Sequence, residues 1–180
     1  MLLALFGFNG RLNRAPFWGY SLLLVVVIVI VQLVIVSSVL APQMAVLMEQ
    51  VGSGNTPTAQ DFLGMFSGMA PKLGWLAIII QVVFSFPAAA LSVKRRHDRD
   101  KSGLDVWIYI GLSIVISVLQ LLGIGMTTGE VRGVAVMMPD TWMQVVQLAL
   151  VIFGLYLFIV LAFLRGTIGQ NSYGPDPLGG

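Results

Sequence analysis

Residues Trp18–Leu40 read WGYSLLLVVVIVIVQLVIVSSVL and contain no Lys, Arg, Asp or Glu. As one helix, at about 1.5 Å per residue, this run is about 34 Å long. That is enough to cross a hydrocarbon core of about 30 Å. The β-branched block Val25–Val29 would favour a strand in water. In lipid a lone segment satisfies its own N–H and C=O groups only as a helix, so length overrides propensity. The run is also too long for the core of a secretory signal, about 7–15 residues. Arg11 and Arg14 before it and Val39 and Ala41 near its end are therefore read as flanks of a retained span.

Three more runs of this kind follow, at about Leu73–Val93, Leu104–Met126 and Met143–Leu164. Asp105, in the first turn of the third, is the only charge in them. The composition agrees: 57% of the 180 residues are hydrophobic and 10% are charged, against about 25% charged in soluble domains. The expected fold is all-α, a polytopic membrane protein with a four-transmembrane-helix bundle forming a single domain over residues 1–180. The chain has no cysteine. This excludes disulfides, thiolate metal sites, a thiol nucleophile and cysteine lipidation.

Basic residues in short loops set the orientation of such a bundle. Arg11, Arg14, Lys94, Arg95, Arg96, Arg99, Lys101 and Arg165 all fall on one face, and only Lys72 and Arg132 on the other. The first face is expected to be cytoplasmic, with both termini on it. On the outer face, Gly52–Pro57 reads as a flexible turn and Gln60–Ala70 as a short helix lying on the membrane surface. Thr127–Thr141 reads as a short Gly-rich loop.

Local signals refine the cytoplasmic end. Ser102-Gly103-Leu104-Asp105 has the spacing of a capping box before the third span. Lys94, Arg95 and Arg96 sit at the C-terminus of the second span, where the helix dipole favours cations. The alternating charges of His97-Asp98-Arg99-Asp100 suggest a self-paired network. Pro87 is expected to kink the second helix. Ser85, Ala88–Ala90, Ser92, Ser113 and Ser117 give the second and third helices small faces on which to pack together.

Three segments carry a family resemblance. They are Phe8-Asn9-Gly10-Arg11-Leu12-Asn13-Arg14 with Phe17-Trp18, Lys94-Arg95-Arg96-His97-Asp98-Arg99-Asp100-Lys101-Ser102-Gly103, and Gly169-Gln170-Asn171-Ser172-Tyr173-Gly174-Pro175-Asp176-Pro177. In this order around four spans, the chain resembles the small bacterial inner-membrane proteins grouped as domain of unknown function 805. The resemblance implies a bacterial inner (plasma) membrane location and no reaction. The chain departs from the family pattern at Arg96, where an apolar residue is usual, and at Leu104, where an aromatic is usual. A charge at position 96 argues against burying it.

All three segments fall on the same predicted face, so they are expected to converge into one polar cap. A turn at Tyr173–Pro177 would bring Asn171 and Asp176 near Arg11, Arg14 or Arg95. The candidate binding residues are Arg95, Arg96, His97, Asp98 and Arg99, supported by Arg11, Arg14, Asn171 and Asp176. Guanidinium groups bind phosphate in a fork, so anionic lipid headgroups of the surrounding bilayer suit them. A protein partner or a second copy of the chain is equally compatible.

An enzyme is not expected. His97 is the only histidine, and no nucleophile elbow, paired metal ligands or phosphate-binding glycine loop accompanies it. No catalytic residue, cofactor, metal site or nucleic-acid partner is assigned. The methionines of the outer loops, Met44, Met48, Met65, Met69, Met137, Met138 and Met143, read as adaptable apolar surface rather than a Cu(I) site. The alternative function is a small oligomeric transporter or channel lined by Gln32, Gln81, Gln120, Gln144 and Gln147.

Overall fold

The computed structural model describes residues 5–131 and 134–179. Four helices are joined by two turns and a β-hairpin: α1 (Arg14–Gly52), α2 (Ala59–His97), α3 (Leu104–Leu121), β1 (Met126–Val131), β2 (Val134–Pro139) and α4 (Thr141–Ala162). All four helices are long and apolar enough to cross a membrane. The strands pair antiparallel in the register Met126↔Pro139 to Val131↔Val134.

The first two helices overrun their apolar runs. Each has 39 residues and is about 58 Å long at about 1.5 Å per residue. The expected surface helix Gln60–Ala70 is instead the first part of α2, and only residues 53–58 form the outer turn. Pro42, Pro71 and Pro87 all lie inside helices without ending them. The expected Gly-rich loop is the β-hairpin, which adds a strand pair to an otherwise helical chain. Thr127, Thr128 and Val136 suit a pleated ladder. Arg132, counted above on the outer face, lies outside the described residues.

The capping box forms, but elsewhere. Thr58 Oγ1 accepts from Asp61 N–H, and Asp61 Oδ2 accepts from Thr58 N–H at 2.7 Å, closing the start of α2. At α3 the N-cap is Gly103, with no side-chain cap. Only residues 98–103 separate α2 from α3, and the tight reversal puts Gly103 in the left-handed region, φ 75°. A Cβ there would lie 3.0 Å from the Val93 side chain. Asp105 turns instead to Arg96.

Helix α2 packs on α1 and α3, and α4 packs on α3 and α1. The expected α2–α3 contact includes a hydrogen bond from Gln81 Nε2 to Ser113 Oγ at 3.1 Å. The tight apolar core lies at one end, where Leu12, Phe17, Leu91, Val93, Val106, Leu157 and Leu161 meet. Both chain ends and the α2–α3 turn close over it.

Candidate functional site

The C-terminus of a helix leaves carbonyls without intrahelical partners. At α4 those of residues 161–164 are each met by a donor from elsewhere in the chain. Arg95 Nε donates to Leu161 O at 2.9 Å, and Arg95 Nη2 donates to Leu164 O. Trp18 Nε1 reaches Ala162 O at 3.2 Å, and Arg14 Nη1 reaches Phe163 O at 3.3 Å. Positive charge at this end also opposes the helix dipole favourably. Helices α1 and α2 thus cap α4 from two sides.

Arg95 is 0% exposed, and a buried charge of this kind persists only when fully paired. Its third bond goes to Asp98 Oδ2, one helical turn on. The other oxygen of Asp98 accepts from Arg11 Nε and Nη2, both at 3.1 Å. Two guanidinium groups therefore share one buried carboxylate. This network is interior, and it reaches beyond the charged loop to Arg11 in the N-terminal segment.

Arg11 goes on to tie down the tail, donating to Thr167 O and Gly169 O, each at 2.6 Å. Thr167 N–H returns to Asp98 O at 2.8 Å. Gly166 sits so close that a Cβ there would overlap the Asp98 carboxylate, so no other residue fits. The N-terminal segment is fastened separately, through Leu12 N–H to Lys94 O at 3.2 Å.

The tail folds back over this hub. Asn171 Nδ2 donates to His97 O at 2.9 Å and to Thr167 Oγ1 at 2.8 Å. The Tyr173 ring stacks on His97 with centroids 3.8 Å apart and 7° between planes. His97 Nδ1 lies 3.2 Å from Gly10 O, so Nδ1 carries a proton. Asp100 Oδ1 accepts from Ser172 N–H at 3.1 Å.

The three segments therefore converge as their position on one face suggests, with different pairing. Asp176 forms no ion pair with an arginine among the described residues. It folds the tail on itself, accepting from Gly169 N–H at 2.9 Å and Leu178 N–H at 3.0 Å. These two backbone bonds, and then nearby Arg11 and Arg165, hold its carboxyl below its ordinary pKa. Arg96 is buried despite its charge, with Nη2 2.7 Å from Asp105 Oδ2. Arg99 is half-buried, and its side chain makes no hydrogen bond or ion pair among the described residues.

The chain matches, over residues 5–175, a family described as protein of unknown function (DUF805). The chain belongs to the DUF805 family. No curated protein and no solved structure matches it. The match contains the first two cap segments and the tail as far as Pro175, so it spans the Asp98 hub and the His97–Tyr173 stack. Asp176 falls just beyond it.

Several residues of the site lie outside the candidates named from sequence. Gly166 and Thr167 hold the backbone of Asp98, and Asp105 neutralises Arg96. Asn13 and Arg165, together with the candidates Arg14 and Asp176, line a cavity of about 240 Å³ beside the hub. Asn13 had a readable signal. It stands at the N-cap of α1, but Pro16, three residues on, has no N–H to offer it.

Proposed function

We propose that this protein is a non-enzymatic, multi-pass module of the bacterial inner membrane whose cap faces the cytoplasm and binds anionic lipid headgroups. The observation that supports it is a surplus of positive charge over a cap whose own ion pairs are complete. Eight basic residues share this face with four carboxylates, Asp98, Asp100, Asp105 and Asp176, leaving +4. The opposite face carries four acids, Glu49, Asp61, Glu130 and Asp140, against two bases, leaving −2. Such asymmetry suits cytoplasmic placement and an anionic leaflet.

The binding residues change from those first considered. Arg11, Arg95 and Arg96 are committed to carboxylates and carbonyls and act as structure. Arg14 gives one donor to Phe163 O and keeps the others, and with Arg99, Lys101 and Arg165 it is left to meet a ligand. His97 is held by Tyr173 and Gly10, which supports the non-enzymatic reading. Native mass spectrometry on the full chain, extracted in mild detergent, tests the proposal. Retained anionic phospholipid is the expected result. Bare protein overturns it, and a co-purified protein in place of lipid reassigns the cap to a partner.

Transport is a second reading, favoured by one observation. A cavity of about 520 Å³ beside α2 and α3 is lined by Gln81, Ser117 and Gln120 together with Gly74 and Ile78. A flux above that of empty liposomes would support this reading, and none would remove it.

A further inference from the structure

The cavity beside the Asp98 hub has a specific chemistry. On one wall is the start of α1, where Asn13 caps no N–H, so the first amides of a 39-residue helix are left without a side-chain partner. Such a terminus is partially positive and suits an anion. Arg14 stands beside it and Arg165 completes the cationic side. Arg165 makes no hydrogen bond or ion pair among the described residues. Arg95 and Asp98 also line the cavity but neutralise each other.

The opposite requirement is also present. Asn13 Oδ1 is buried with no hydrogen-bond partner, which leaves an acceptor in need of a donor. Asp176 supplies a second acceptor on the same lining. Three arginines and two aspartates give the cavity a net +1, the complement of a single phosphodiester charge.

Its surroundings indicate where such a ligand comes from. Ala15, Ile168 and Leu178 form an apolar side. Next to it, exposed Trp18 packs edge-to-face on Phe163 and Phe158, each at 6.1 Å between centroids. Aromatic groups at the ends of apolar helices mark the headgroup level of a bilayer. A volume of about 240 Å³ is below the about 300–1,000 Å³ of pockets that take whole drug-sized ligands. It has room for a headgroup while the acyl chains stay in the membrane.

We infer that this cavity, formed by Asn13, Arg14, Arg165 and Asp176, is a headgroup site for a phosphodiester lipid bearing hydroxyl donors, of the phosphatidylglycerol type. The phosphate lies against the start of α1, Arg14 and Arg165, and the glycerol hydroxyls donate to Asp176 and, once the Asn13 side chain turns toward the cavity, to Asn13 Oδ1. This rests on the lipid-binding reading of the cap and moves it from the Arg95–Arg99 group to a defined pocket.

The test uses the full chain in nanodiscs of equal phosphatidylglycerol, phosphatidylethanolamine and phosphatidylcholine, released for native mass spectrometry. Wild type is expected to keep phosphatidylglycerol in preference to the other two. The variant R14Q/R165Q keeps a donor for Phe163 O, so the cap is retained. It is expected to lose at least about tenfold in occupancy, since two charge-assisted contacts are removed. K72Q, at an exposed lysine of α2 outside both the pocket and the cap, should match wild type. If the double variant retains as much lipid as wild type, the pocket is wrong while the broader reading stands. Equal retention of phosphatidylcholine, which lacks a donor, overturns the role of Asn13 and Asp176. A wild type that retains no lipid overturns both. Thermal stabilisation by millimolar glycerol 3-phosphate, with no lipid retained, would overturn the membrane source in favour of a soluble phosphate.

Discussion

Asp98 is where the chemistry of the cap is concentrated. It balances two buried guanidinium groups, and its backbone carbonyl holds Thr167. Removing one member of a buried pair strands the others, at a cost of about 3–5 kcal/mol. Asp98→Ala is expected to lower the thermal midpoint in detergent by that equivalent, and a midpoint within a degree of wild type would refute the hub. Swapping charges between Asp98 and Arg11 alone should not restore it, because Arg95 would then face a new arginine. Asp176 behaves differently. Its pKa is depressed in the folded tail, so its stabilisation is present above the ordinary carboxylate pKa and is lost as pH falls through the lower folded value. The Gly169 and Leu178 amide resonances should therefore hold steady from pH 7 to about pH 5 and move only below about pH 4. Asp176→Asn should abolish that movement; a transition near neutral pH would count against the assignment. The residue types of the cap were readable from three charged or Gly-rich segments. Their pairing was not, because Arg11 meets Asp98 across 87 positions and Asn171 meets His97 across 74.

At the scale of elements, spans were legible and their ends were not. Length and absence of charge define an apolar run, but nothing in that criterion stops a helix where the run ends. Residues 41–52 and 59–72 continue because Pro42 and Pro71 each remove one hydrogen bond of many, and Thr58 with Asp61 starts α2 earlier than the apolar run does. The capping box expected at Ser102 does not form because α3 starts one residue later: left-handed Gly103 is the N-cap, and Asp105 pairs with Arg96. The strand pair at 126–139 was hidden in a Gly-rich stretch whose alternation is short. Between α2 and α3, the Gln81–Ser113 bond should couple the helices by about 0.6 kcal/mol, the typical size within membranes. A double-mutant cycle with Gln81→Leu and Ser113→Ala measures it; zero coupling would mean that the small residues alone bring the helices together.

For the whole molecule, the even number of apolar helices and the bias of basic residues predict both ends on one side of a membrane, and in the fold Arg11 joins the two ends through its bonds to Thr167 O and Gly169 O. The sidedness of that face can be measured directly. The cysteine-free background allows single cysteines at Ser53 and Ser102, both exposed and at opposite ends of α2. A membrane-impermeant maleimide should label Ser53→Cys from outside the cell and Ser102→Cys only after lysis. Labelling of both from one side would contradict the four-span topology. What the pattern of charges cannot convey is depth: of the arginines counted on this face, Arg95 and Arg96 are buried while Arg14 and Arg165 are exposed.

The way the tail closes over Asp98 has a consequence for biosynthesis. A ribosome makes Arg11 first and Thr167 some 156 positions later, after all four helices have been synthesised. Until then, Arg95 and Asp98 share a charge pair with one side open, and the last carbonyls of α4 do not exist. The cap is thus the final assembly event of the nascent protein. A chain stalled or cut before residue 166 leaves Arg11 without Thr167 O and Gly169 O, and Asp98 O without Thr167 N–H.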